Sequence, residues 1–217
     1  MASPIRLYLD FASPYAYLAL GPLQELARNH RRDLELKPIL LWAVFKQQGV
    51  SNPIQKPARR RYFLEDVQRS AAFFGASLTL PEPLQISAHL AGRLFHAWTA
   101  DNPQDAAVLA KEIFEAFFVE GQNITKAEVL GRLPCLATAS HDVVNAALNG
   151  QTGRERLAAT IEEAVRDEVI GVPFVLLDGE TFFGADRLPH IAWRLKQGAG
   201  APAIAAPREA DDDARRP

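Results

Sequence analysis

The chain has 217 residues, with 24 Lys and Arg against 26 Asp and Glu, a formal charge of -2 and one cysteine, Cys135. That single cysteine excludes an internal disulfide, a CxxC redox pair and a zinc site built on several cysteines. A hydrophobic share of 48% with 23% charged residues is the balance of an ordinary globular protein; no basic block offers a footprint for nucleic acid, and no apolar run approaches the roughly 18 residues of a membrane span.

Met1 to Pro4 lack a charged leader and Ile5 to Leu9 are too few for a signal-peptide core, so a cytoplasmic location is expected, as a lone cysteine permits. Ile5, Leu7, Leu9 and Phe11 alternate with Arg6, Tyr8 and Asp10, the period of a strand with one face more deeply buried. Ser13 is a good N-cap and Pro14 suits a first helical turn, so Tyr15 to Asn29 reads as a helix that Gly21-Pro22 could kink. A second strand is expected over Leu34, Leu36 and Ile39 to Trp42, interrupted by Pro38 and therefore at an edge or bent. The segment from Gln47 to Pro57 concentrates Gly, Pro, Asn and Ser and reads as a surface loop.

Helices are then predicted over Arg59 to Phe74, Ser87 to Thr99, Gln104 to Val119, Lys126 to Leu133, and His141 to Val169 with a break near Gly150 to Gly153. Asp101-Asn102-Pro103 and Gly121-Gln122-Asn123 supply turns between them. Two apolar runs around Asp178-Gly179 predict a hairpin, Arg187 to Lys196 a last helix. The tail has almost no large apolar side chain, which predicts disorder over 198–217.

The order βαβ, helices, ββα implies an α/β class: a thioredoxin-like fold with a large all-helical insertion. Residues 1–58 and 169–197 would form the discontinuous thioredoxin-like domain and 59–168 the helical insertion domain. Within this frame DFASPYAYLAL, the loop around Asn52, RYFLEDVQR, FVEGQNI, GVPFVLLDGE and FFGADRL follow in order. Together they resemble the 2-hydroxychromene-2-carboxylate isomerase family, a relative of kappa-class glutathione transferases within the DsbA-like group, over Ile5 to about Leu195.

The resemblance places Ser13 where thioredoxin-like proteins carry their reactive cysteine. Helix N-terminal amides favour an anion there, so Ser13 would hold the sulfur of glutathione; the bland alternative is a simple N-cap. A hydrolase nucleophile is disfavoured, because no GxSxG elbow surrounds it. Val172-Pro173 matches the family's cis-proline segment, whose backbone would pair with glutathione, or else Pro173 merely opens an edge strand. Gly184, Ala185 and Asp186 match the segment that grips the γ-glutamyl end, while Asp186 could equally cap the last helix.

Asn52 and Pro53 resemble the position that approaches cofactor and substrate, or form an ordinary turn. Where the family commonly carries a lysine for the substrate carboxylate, this chain has Arg59, charged but not equivalent to lysine; Lys56 is the alternative cation. Tyr15, Tyr17, Trp42, Phe45 and Trp98 could wall an aromatic pocket, although core packing is the commoner role. The five histidines form no metal-ligand pattern, and Cys135 reads as a packing residue.

The resemblance implies a cytoplasmic, homodimeric, glutathione-dependent isomerase of aromatic hydrocarbon catabolism that interconverts 2-hydroxychromene-2-carboxylate and trans-o-hydroxybenzylidenepyruvate. Its expected partners are glutathione and a small bicyclic aromatic carboxylate, with no metal, nucleic acid or membrane. The alternatives are a kappa-like glutathione transferase or peroxidase, and a non-catalytic module that binds thiol peptides.

Overall fold

β1 (Ile5–Leu9) lies between β2 (Leu34–Pro38), to which it runs parallel, and β3 (Phe174–Leu177), to which it runs antiparallel; β4 (Glu180–Phe183) completes a four-stranded sheet ordered β2-β1-β3-β4. This computed structural model describes residues 3–51, 56–84 and 86–203. The helices are α1 (Pro14–Asn29), α2 (Leu41–Gln47), α3 (Pro57–Phe74), α4 (His89–Asp101), α5 (Ala106–Phe118), α6 (Ala127–Leu130), α7 (His141–Asn149), α8 (Gln151–Arg166) and α9 (Leu188–Gln197). None of those described is long and apolar enough to cross a membrane.

Both faces of the sheet are covered, so β1 is more deeply buried than its alternating pattern suggests. Ile5, Leu7 and Leu9 pack into a core with Leu23 of α1, Leu94 of α4, and Ile113 and Phe114 of α5. On the opposite face Tyr8, fully buried, joins a second cluster with Val44 of α2 and Leu157 and Ala164 of α8. The polar ends on that face are paired rather than solvated: the Tyr8 hydroxyl donates to Asp167 at 2.7 Å, and Arg6 reaches Asp167 at 3.0 Å. These contacts fix the end of α8 beneath the sheet.

The second strand is shorter than its sequence predicts. Ile39 to Trp42 do not extend β2; Ile39 N–H closes the last ladder bond to Leu9 O at 2.8 Å, and α2 begins at Leu41. The physical reason is that β1 turns away after Leu9, leaving no strand to pair with, while the Asp10 carboxylate receives Leu41 N–H at 2.8 Å. Pro38 ends an edge strand, where a missing N–H is tolerated.

The remaining predicted helices and the hairpin are present with ends shifted by one to three residues, α3 starting at Pro57 and α4 ending at Asp101. Helix α6 spans four residues rather than eight, because the chain closes at Gly131 and Pro134 starts a 3₁₀ turn. Asp178 and Gly179 both take positive φ, 50° and 84°, which is what a two-residue hairpin turn requires. Arg32 grips the Asp178 carboxylate through two nitrogens at 2.7 and 3.0 Å and draws its pKa below the ordinary carboxyl value. Past α9 the buried Arg194 donates to Gly198 O and Ala201 O and pairs with Glu180. Residues 204–217 lie outside those described.

Helices α4 and α8 approach closely through glycines. A Cβ on Gly153 would sit 2.5 Å from the carbonyl oxygen of Arg93, a backbone atom that cannot swing away, whereas one on Gly92 would meet only the Leu157 side chain at 3.2 Å. Gly153→Ala should therefore destabilise the fold by about 1–3 kcal/mol through overpacking. Gly92→Ala should stay within about 1 kcal/mol of the parent, since Leu157 can yield and alanine favours the helix. Urea denaturation of the two variants decides this; equal midpoints would contradict the close-packing account.

Candidate active site

The turn joining β1 to α1 is built by Asp10. Its Oδ1 accepts Ala12 N–H at 2.9 Å, an Asx turn, and its own carbonyl accepts Ser13 N–H at 2.8 Å. Ser13 then caps α1 in an extended conformation, its Oγ accepting Ala16 N–H at 3.3 Å with Pro14 at the first helical position. Accepting that bond leaves the hydroxyl proton available to a ligand, at a helix N-terminus that favours negative charge. Helix α1 carries no acidic residue in its first turn to compete.

Ser13 opens on a cavity of about 320 Å³ lined by Asp10, Ala12, Pro14, Tyr15, Leu41, Trp42, Phe45, Phe63, Leu84, Ile86, Ile170, Gly171, Val172 and Phe183. Apart from Asp10, Ser13, the Tyr15 hydroxyl and the Trp42 indole N–H, the lining side chains are apolar. Trp42 and Phe45 stand three residues apart on α2 and so share one face of that helix. Gly171 lets the Phe183 ring lie against the chain, for a Cβ there would come within 2.4 Å of it.

A second hollow, about 660 Å³, adjoins the first and shares Tyr15, Val172 and Phe183 with it. Its lining mixes polar and aromatic groups: Asp66, Arg69 and Ser70 of α3, with Tyr62, Phe73 and Phe74 of the same helix, and Gly184, Ala185, Asp186 and Arg187. The Tyr15 hydroxyl donates to Asp66 at 2.7 Å and Arg69 pairs with the same carboxylate at 2.7 Å, which ties α3 across the start of α1. Burial, then the bond to Asp66, raises the Tyr15 pKa, so the phenol stays protonated. A larger hollow of about 1040 Å³, between α3 and residues 80–84, does not reach Ser13.

Of the residues singled out from the sequence, Ser13 and Val172 line the cavity, and Val172, Gly184, Ala185 and Asp186 line the adjoining groove. The Val172-Pro173 peptide bond is cis. Pro173 is buried behind this surface, and its carbonyl accepts Gly184 N–H at 2.9 Å, joining the two backbone segments. Gly184 has φ 104°, a conformation suited to glycine. Asp186 does not cap α9, whose N-cap is Arg187 without a side-chain bond; it pairs instead with Arg187 at 2.6 Å on the surface.

Arg59 and Lys56 are exposed and line neither hollow. Asn52 and Pro53 lie outside the described residues. The aromatic set divides: Tyr15, Trp42 and Phe45 reach the cavity, whereas Tyr17 stacks on Phe118 at 5.5 Å and Trp98 donates to Asp105. Cys135 is remote from Ser13 in sequence, and burial followed by the bond to Glu112 pushes its thiol up to about 12, which leaves it unreactive.

Asp10, Phe63 and Asp66 lie within the quoted segments DFASPYAYLAL and RYFLEDVQR without being singled out, and Ile170 lies outside every quoted segment. Asp10 had a readable cue, an aspartate ending an apolar strand two residues before a turn amide. Which of the others reach the cavity, and the Tyr15-Asp66 bond, depend on tertiary contacts.

The DSBA-like thioredoxin domain model matches residues 4–196. The chain is 22% identical over 203 residues to glutathione S-transferase kappa 1 of Rattus norvegicus, covering 88% of this chain and 90% of that protein. It is 27% identical over 190 residues to 2-hydroxychromene-2-carboxylate isomerase of Pseudomonas putida, covering 85% and 90%. A solved structure of a selenomethionine 2-hydroxychromene-2-carboxylate isomerase matches with a TM-score of 0.78 at 23% identity, covering 89% of this chain and 94% of that one, a likeness of fold. The chain thus belongs to the DSBA-like thioredoxin domain family, and its homologues include kappa glutathione transferases and 2-hydroxychromene-2-carboxylate isomerases.

Proposed function

We propose that this protein is a glutathione-dependent isomerase acting on a bicyclic aromatic carboxylate of the 2-hydroxychromene-2-carboxylate type. The observation that carries the reading is the junction at Ser13: a hydroxyl at a helix N-terminus opens on a largely apolar cavity that adjoins a groove with polar groups in its lining. A peptide thiol fits that arrangement, with its sulfur at Ser13, its backbone along Val172, and its amino-acid end toward Gly184, Ala185 and Asp186. The name of the Pseudomonas relative supports an isomerase, and that of the rat relative the use of glutathione.

Bound there, glutathione supplies a thiolate nucleophile that leaves unchanged after the isomerisation. The protein's own part is to hold and exclude. Ser13 donates a hydrogen bond to the anionic sulfur, and α1 contributes the favourable end of its dipole. Trp42, Phe45, Phe63 and Ile170 keep water from the flat substrate and leave it room to turn. Cytoplasmic location, a homodimeric assembly, and roles for Asn52, Pro53 and Arg59 at the substrate carboxylate belong to this proposal.

One observation favours a second reading. No lysine or arginine among the described residues lines the apolar cavity, so it suits a neutral aromatic electrophile, as a kappa-like transferase would use. The two readings separate in one assay. Isomerisation of 2-hydroxychromene-2-carboxylate that requires glutathione is expected; conjugation of a neutral chlorodinitrobenzene without any isomerisation would replace the first reading by the second, and neither activity would leave only binding.

Ser13→Ala should raise the pKa of bound glutathione by about 1–2 units, because a hydrogen bond to a charged group contributes about 1.5–3 kcal/mol. Turnover at neutral pH should fall about tenfold or more, while the lost N-cap costs only about 1 kcal/mol of stability. Ultraviolet titration of the thiolate checks this, and an unchanged titration would remove Ser13 from the site.

A further inference from the structure

Asp10 is 6% exposed, yet both of its carboxylate oxygens are used, and by different elements. Oδ1 takes Ala12 N–H at 2.9 Å, in the turn that presents Ser13; Oδ2 takes Leu41 N–H at 2.8 Å, the first residue of α2, next to Trp42. One buried group therefore joins the intended seat of the sulfur to the aromatic wall of the cavity. We infer that Asp10 is a positioning residue, whose ionised carboxylate holds the Ser13 turn and the start of α2 in one register and so sets the distance between sulfur and substrate. The functional half of this inference rests on the reading of Ser13 as the seat of glutathione.

The carboxylate form is required because only two acceptor oxygens serve both amides. Protonation turns one of the two oxygens into a hydroxyl, a much weaker acceptor whose O–H competes with the facing N–H, and so one of the two bonds is weakened. Burial pushes the Asp10 pKa up to about 6, opposed by its two amide bonds, so this weakening falls within an accessible pH range. No charged side chain contributes to that shift, and His96 of α4, whose ring meets Pro38 O at 2.8 Å, is held below its ordinary value by burial. From α1 the titratable group is Tyr15, whose hydroxyl is committed to Asp66. Lys46 of α2 is exposed, Arg6 and Lys37 of the strands are paired with acids of α8, and Phe63 of α3 and residues 170–172 bring no ionisable group. The sequence at 52–55, Asn-Pro-Ile-Gln, has none either.

The test is a pH titration of the full-length protein without glutathione, followed by amide NMR. The amide signals of Ala12 and Leu41 and the indole signal of Trp42 should move together with a common midpoint near the Asp10 value of about 6, and Asp10→Asn should abolish the movement. Separate midpoints, no movement, or the same movement in the variant would overturn the inference whatever the enzyme does. In the glutathione-loaded enzyme Asp10→Asn should lower kcat about tenfold or more, leave the KM for glutathione within about twofold, and remove the acid limb of the kcat profile. An unchanged kcat overturns the positioning role. Should the variant not fold, the parent protein still decides: a kcat limb whose midpoint differs from that of the Leu41 amide refutes the coupling. Absence of any glutathione-dependent turnover in the parent protein sinks the proposed function instead, and the amide titration stands apart from it.

Discussion

β1 has no free edge and no free face. Its two edges are taken by β2 and β3, one face by α1, α4 and α5, the other by α2 and α8. Everything after Leu9 must leave this crowded layer at once, because the last ladder bond closes at Leu9 O and the following residues have no strand to join. The exit places Asp10, Ala12 and Ser13 at the mouth between sheet and helices. A site at this point follows from the strand's burial rather than from any property of the turn residues alone.

Burying a carboxylate there carries an energetic cost. Relative to the ordinary value of 3.8, a pKa of about 6 means that the folded state binds the Asp10 proton more tightly than the unfolded chain does. Asp10 therefore supports stability less as pH rises from the ordinary carboxyl range toward 6, and above 6 its ionisation costs about 3 kcal/mol. The two amide bonds offset only part of the desolvation. A group held at that cost is consistent with a geometric role, since an apolar residue in its place would leave Ala12 and Leu41 N–H without these acceptors.

Much of the architecture was legible because local signals agreed with the tertiary outcome: Ser13-Pro14 opens α1, Gly150 separates α7 from α8, and Asp178-Gly179 turns the hairpin. The reading failed at Ile39 to Trp42, where apolar content pointed to a strand. What decides that segment is a side chain 31 residues earlier, as Asp10 receives the first amide of α2. The site divides in the same way. Ser13 and the backbone at Val172 and Gly184 to Asp186 could be placed through motifs, whereas Phe63, Ile170 and the Tyr15-Asp66 bond arise from packing between distant segments.

The same geometry explains how an anion could be accommodated beside a buried acid. The Asp10 charge is turned toward two N–H groups, Ala12 and Leu41, so part of its field is compensated at the source. Ser13, which lines the same cavity as Asp10, stands at the N-terminus of a 16-residue helix whose dipole favours negative charge. A resident cysteine is absent from this point, and Cys135 is held protonated by burial and by Glu112. Under the proposed function, the fold offers a position for a sulfur anion without a sulfur of its own at that point. In the proposed reading the nucleophile comes with the cofactor, so the chain's task reduces to positioning: Asp10 sets the register, Ser13 supplies the donor, and α2 supplies the wall.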